Sequence, residues 1–231
     1  MAIKGVLFDF SGTLLRIEST ESWLRATLEA CELTLADEEF RHYVAELEAA
    51  GALPGGAPPG SVPAHLEELW TTRDVSAERH RAAYTGLSRE VPLPAPGLHE
   101  ALYDRHKTPA AWRPYPDTAD VLAALKERGL LVGVVSNIGW DLRPIFRAHR
   151  LDRYVDAYVL SYEHGVRKPD PRLFAVACEM LGVPAGDTLM VGDEPHSDGG
   201  AAALGCAVHF VDHLPVEQRP AGLEPVLALL D

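Results

Sequence analysis

Hydrophobic positions along the chain follow two different rhythms, and the change falls near residue 109. The first apolar run, "AIKGVLFDF", is short, rich in β-branched and aromatic residues, and broken by Asp9. It predicts a buried strand. From Ser19 the rhythm becomes helical: Trp23, Leu24, Leu28 and Leu33 recur at helical spacing, with Ser19 and Ser22 as candidate caps. "DEEFRHYVAELEAA" repeats the behaviour, with Asp37 as its expected N-cap. Gly51–Pro63, "GALPGGAPPGSVP", excludes both helix and central strand and reads as a flexible connector. Helical stretches resume around "AHLEELW", "SAERHRAAYTGLSRE" and "LHEALYDRHK". Residues 15 to about 108 are therefore expected to contain helices only.

Beyond Pro109, strands and helices alternate. "PDTADVLAALKERG" is an amphipathic helix started by Asp117 or Thr118 and closed by Gly129. "LLVGVVSN", "DAYVLS", "DTLMVGDE" and "CAVHFVD" read as strands, with helical segments between them. Alternation of this kind predicts an α/β fold built on a doubly wound, Rossmann-like parallel sheet. The expected domains are an α/β core from residues 1–14 and 109–231 and an inserted α-helical domain over 15–108.

Composition narrows the function classes. A formal net charge of -13 argues against a nucleic-acid surface, so attraction for an anionic ligand must be made locally. The chain has only four lysines, Lys4, Lys107, Lys126 and Lys168, so each one matters. Cys31, Cys178 and Cys206 form no CxxC pair and read as reduced thiols used in packing. No run approaches the roughly 20 apolar residues of a membrane span, and no secretion signal precedes the first strand. The expectation is a cytoplasmic protein, monomeric or a homodimer, with neither nucleic acid nor membrane as partner.

Three predicted strands end on polar residues: "VLFD" at Asp9, "VGVVSN" at Ser136 and Asn137, and "LMVGD" at Asp193. A single such tip serves equally well as a helix N-cap. Three together, with "GVRKPDP" after a fourth strand, point to a ligand site, because the carboxyl ends of parallel strands gather where ligands bind.

These residues, in this order, resemble the haloacid dehalogenase superfamily. Its first motif, Asp-x-Asp-x-Thr plus an apolar residue, matches Asp9-Phe10-Ser11-Gly12-Thr13-Leu14 except at the third position. Ser136 matches the second motif, Lys168-Pro169-Asp170 the third, and Gly192, Asp193 and Asp198 the fourth. The resemblance implies that residues 15–108 form the family's helical cap. It further implies that Asp9 is a nucleophile forming an aspartyl-phosphate from a small phosphorylated molecule. Mg²⁺ would be held by the Asp9 carboxylate, the Ser11 backbone carbonyl and Asp193, with Asp198 supporting that shell. Lys168 would add positive charge at the phosphoryl oxygens, and Ser136 and Asn137 would bind substrate.

Ser11 is the departure. Most family phosphatases carry there a second Asp that protonates the leaving group and activates water, and a serine hydroxyl has no titratable proton near neutral pH. Glu194, His196 and His164 are candidates to take over by proximity in sequence. The alternatives are a metal-independent 2-haloacid dehalogenase, whose fourth motif lacks the Gly-Asp pair kept here, and a weakly catalytic member retained for binding. In the helical insert, Trp23, Phe40, Tyr43, Trp70 and Tyr84 are expected to form its own core, and Arg16 is placed either to reach a substrate anion or to face solvent.

Overall fold

The computed structural model describes residues 2–230. Among them are seven strands: β1 (Gly5–Phe8), β2 (Leu15–Ile17), β3 (Trp112–Pro114), β4 (Leu131–Ser136), β5 (Ala157–Leu160), β6 (Thr188–Gly192) and β7 (Ala207–Phe210). Five make one sheet in the order β5-β4-β1-β6-β7, with every neighbouring pair parallel. β1 lies at the centre, where the winding reverses direction, and a parallel sheet opens its ligand crevice at that point.

The strand sequences explain this placement. Val6, Phe8, Val132, Val134, Leu189 and Val191 pack into one apolar cluster, and Leu7, Val135 and Met190 into another. Successive side chains point to opposite faces, and both faces are covered, so these strands read as unbroken apolar runs. Helices Thr118–Glu127, Arg143–Ala148 and Pro171–Leu181 follow the strands. Asp170 caps the last of these by accepting from the Arg172 N–H at 2.9 Å.

Asp117 occupies the N-cap position of its helix, yet its carboxylate goes elsewhere. It accepts from the N–H groups of Leu223 and Glu224 at 2.6 and 3.1 Å, at the start of helix Glu224–Ala228. Thr118 Oγ1 donates to the Leu14 carbonyl at 2.8 Å. Both residues proposed as local caps tie distant parts of the chain together.

The first half departs from expectation in three ways. Leu15–Ile17 is a strand, pairing antiparallel with Trp112–Pro114, because the two connections to the helical insert run side by side and satisfy each other's backbone groups. Helix Asp37–Ala49 begins one residue earlier than expected: Ala36 holds the cap position, and Glu39 accepts from its N–H at 3.2 Å. The Gly51–Pro63 segment is no flexible connector. Gly51, Ala52, Leu53 and Pro54 are buried, and the Gly55 carbonyl accepts from Arg16 Nη1 at 2.7 Å. That contact also settles Arg16, which braces the loop. Of the cysteines, Cys178 and Cys206 are buried as expected, whereas Cys31 is exposed.

Helices Thr20–Ala30, Ala77–Arg89 and Leu98–His106 pack together, with Trp23 fully buried and its Nε1 donating to the Leu102 carbonyl at 2.8 Å. His106, the last residue of the third of these helices, is fully buried, and its ring nitrogens have no hydrogen-bond partner among the described residues. Burial holds this imidazole well below its ordinary pKa of 6.5. The unfolded imidazole takes a proton below about pH 6.5 and the folded one does not, so its stability contribution is present above that pH and lost as pH falls. Relative to the native chain, His106→Leu should therefore gain about 2 kcal/mol between pH 7 and pH 5. Paired urea titrations at the two pH values measure the gap; a constant gap would show that the buried ring carries a proton.

Candidate active site

Asp9 follows the last residue of β1, and its N–H is fixed by the Val191 carbonyl at 2.9 Å. Lys168 reaches it from the loop after β5: Nζ donates to Asp9 Oδ1 and to Asp198 Oδ1, both at 2.6 Å. The lysine side chain is 3% exposed, which removes the reading of a solvated surface charge. Asn137, at the tip of β4, holds it in place. Its Oδ1 accepts from the Lys168 N–H at 2.7 Å and its Nδ2 donates to the Lys168 carbonyl at 2.9 Å. One N–H and the oxygen of this amide go to the lysine backbone, so Asn137 positions Lys168, while the residue itself also lines the cavity. Ser136 is buried beside it on the cavity wall.

Asp198 precedes a 3₁₀ turn, Gly199–Leu204, without capping it. Its Oδ2 accepts from the Glu194 N–H at 3.0 Å while Oδ1 takes the lysine. Gly192 makes this possible, since a Cβ there would lie 2.1 Å from Asp198 Oδ2.

Asp193, at the tip of β6, accepts from Thr13 Oγ1 at 2.8 Å through Oδ1. His213 Nδ1 sits 2.5 Å from its Oδ2. Gly12, at φ +89°, lets these two groups meet, because a Cβ there would lie 2.4 Å from the His213 ring. The Gly12–Thr13 turn is itself held by buried Arg219, which donates to both carbonyls and lies over the Tyr115 ring.

Carboxylate oxygens of Asp9, Asp193 and Asp198 lie within 4.8 Å of one another. Burial, reinforced by Asp198 and Asp193 and opposed by Lys168, pushes Asp9 up to about 8. Burial lowers the Lys168 ammonium, but Asp198 and Asp9 outweigh it and leave that pKa above its ordinary value. Asp193 is driven up by burial, then held below the ordinary carboxylate range by His213 and Thr13.

A cavity of about 270 Å³ opens onto this cluster. Gly55 covers Ser11 so closely that a Cβ on it would lie 2.8 Å from Ser11 Oγ. Trp70 and Tyr84 line the far wall, so these two belong to the cavity as well as to the insert's packing. Trp23 is buried, and Phe40 and Tyr43 pack partly buried against the core, as expected.

The structure brings together Asp9, Ser11, Ser136, Lys168, Asp193 and Asp198 around one cavity. It does not bring His164 or His196, which are exposed and away from it. Glu194 lines the cavity mouth, but its carboxylate caps helix Pro195–Asp198. His213 and Arg219 were missed. His213 lies three residues beyond the end of β7, so extending the strand-tip argument to "HFVDH" would have found it. Arg219 gave no such signal.

The profile of the family described as hydrolase, haloacid dehalogenase-like hydrolase, matches residues 3–205. The chain belongs to the haloacid dehalogenase-like hydrolases. Its relatives span both chemistries of that family. It is 30% identical over 207 residues to the glyceraldehyde 3-phosphate phosphatase of Methanopyrus kandleri, covering 85% of this chain and 78% of that one. It is 35% identical over 111 residues to the (S)-2-haloacid dehalogenase 4A of Burkholderia cepacia, covering 47% of this chain and 46% of that enzyme's length. A haloacid dehalogenase-family phosphatase from Thermococcus onnurineus superposes with a TM-score of 0.57 at 25% identity, covering 91% of this chain and 86% of that one. Among the described residues no helix is long and apolar enough to cross a membrane.

Proposed function

We propose that the protein is a cytoplasmic, Mg²⁺-dependent phosphohydrolase that cleaves a small phosphate monoester through an aspartyl-phosphate on Asp9. The observation that carries this reading is the convergence of Asp9, Asp193 and Asp198 on one point, faced by a single lysine. The donor set fits the ion: hard carboxylate oxygens suit Mg²⁺, and three of them gather here around one lysine. Asp9, Asp193 and the Ser11 backbone carbonyl would hold it, with Asp198 supporting them. When bound, Mg²⁺ supplies charge neutralisation between the nucleophile and the phosphoryl group.

The protein's own groups divide the remaining work. Lys168 holds Asp9 Oδ1 and leaves Oδ2, to which no described residue donates, as the attacking oxygen. Attack at phosphorus forms the Asp9 acyl-phosphate and breaks the bond to the leaving oxygen, which takes its proton from solvent water. Lys168 and Ser136 face the phosphoryl oxygens and stabilise the charge developing there. Water then cleaves the acyl-phosphate and restores Asp9. Ser11 donates no titratable proton to either half, so slow turnover, or a substrate with a stable leaving oxygen, goes with this site. We assign residues 1–14 and 109–231 to the α/β core and 15–108 to a cap; support for the cap comes from Gly55, which lies directly over Ser11.

Dehalogenase chemistry is the second reading, favoured by Ser11 and by the Burkholderia relative. Phosphate and halide release should be followed over a panel of phosphate monoesters and 2-haloacids, with Mg²⁺ and with EDTA. Phosphate release that falls to background in EDTA is expected. Metal-independent halide release would replace the proposal with the second reading.

A further inference from the structure

The cavity has a second charged end. Besides Asp9 and Lys168, its wall carries Arg73, Asp74 and Arg167. Asp74 is buried, and its backbone carbonyl accepts from Ser161 Oγ at 2.6 Å, which latches the insert to the end of β5. Its carboxylate forms no close pair. Arg73 Nη2 stands 3.6 Å and Arg167 Nη1 3.9 Å from Oδ2, both beyond hydrogen-bond length, and Oδ2 has no partner among the described residues.

The two arginines differ in freedom. Arg73 is committed, since Nη1 donates to the Trp70 carbonyl at 2.8 Å and its guanidinium lies 3.9 Å from the Trp70 ring centroid. The Arg167 guanidinium has no hydrogen bond among the described residues and is 37% exposed, on the cavity wall next to the lysine that serves the nucleophile. Two cations face one carboxylate, and His80, which also lines this end, is kept neutral by burial. This end is therefore net positive and presents an unused guanidinium fork, which matches the planar geometry of a carboxylate. The volume, at the small end of ligand sites, admits a compact molecule.

We infer that Arg167 takes a carboxylate on the leaving portion of the substrate, so that the preferred esters are small phosphorylated carboxylic acids. This rests on the phosphohydrolase reading and deepens it. Asp74 Oδ2, 3.9 Å from Arg167 Nη1, attracts the guanidinium without a hydrogen bond and leaves its donors for a ligand.

The test uses substrate pairs that differ only in carboxylate against hydroxymethyl: 3-phosphoglycerate with glycerol 3-phosphate, and phosphoglycolate with 2-hydroxyethyl phosphate. With Mg²⁺ present, the native enzyme should favour the acid of at least one pair by about tenfold or more in kcat/KM. Arg167→Gln should bring that ratio within about threefold of unity, mainly through KM, and Arg167→Lys should restore part of it. A purely structural role would lower both members of a pair alike, and that outcome, or a native ratio near one in both pairs, overturns the inference. A protein that turns over no ester defeats the hydrolase reading instead. The arginine is then read by calorimetry on Asp9→Asn with phosphoglycolate and 2-hydroxyethyl phosphate: about tenfold tighter binding of the acid upholds the subsite, and equal binding removes it.

Discussion

Replacing Asp9 by asparagine should lower phosphate-ester turnover by at least about 10⁴-fold while leaving the protein folded and no less stable than the native chain. The activity loss follows from chemistry, because an amide cannot form the acyl-phosphate. The stability result follows from the surroundings of Asp9. Its carboxylate is buried among Asp193 and Asp198 with one lysine to share, and it is pushed up to about 8. Asparagine keeps an oxygen that can accept from Lys168 Nζ and, like the protonated acid that a raised pKa favours, adds no charge to the buried cluster. Lys168 retains Asp198, 2.6 Å away, as its counter-ion. Circular dichroism melts beside phosphate-release assays separate the two effects. A variant that loses activity and melts well below the native chain would show that the Asp9–Lys168 contact serves the fold, contrary to this account. Functional residues held at a cost to stability are the expected trade-off at an active site.

The core of this arrangement was readable because parallel strands advertise both their burial and their ends. Unbroken apolar runs located β1, β4, β5 and β6, and the polar residues that close β1, β4 and β6 meet at the cavity. What escaped lies where periodicity carries no information. Gly51–Pro63 has the composition of a loose connector, yet Ala52 and Leu53 are buried in the main apolar cluster and Gly55 sits on Ser11. Glycine and proline forbid regular structure without forbidding order, and only tertiary packing decides between a linker and a lid. Arg219, near the end of the chain, sits in no apolar periodicity that would mark it as buried. It is buried, because the carbonyls of Gly12 and Thr13, left unpaired by the turn after β1, need a donor. Leu15–Ile17 was too short to show alternation, and its partner strand lies almost a hundred residues on. In each case a non-local partner supplied the deciding interaction, and a single sequence does not display it.

Lys168→Met should cost about 3–5 kcal/mol of stability as well as most of the activity, the largest stability loss expected of any single side chain at the site. The ammonium is the only cation in hydrogen-bond contact with Asp9 and Asp198 among the described residues. Methionine fills similar volume, so packing changes little, and what remains is the buried Asp198 carboxylate facing the Asp9 acid with no counter-charge. If that repulsion and desolvation are the cause, the loss must depend on Asp198. Adding Asp198→Asn to Lys168→Met should then return about 2 kcal/mol or more, although Asp198→Asn alone destabilises by leaving the lysine with one partner fewer. Denaturant titrations of the four proteins close the cycle. Additive losses would mean that the lysine acts through its methylene packing, and the electrostatic account of the site would fail with them. Recovery would tie the fold of this region to the same charge balance that prepares Asp9 for attack, since both rest on one ammonium held in place by the amide of Asn137.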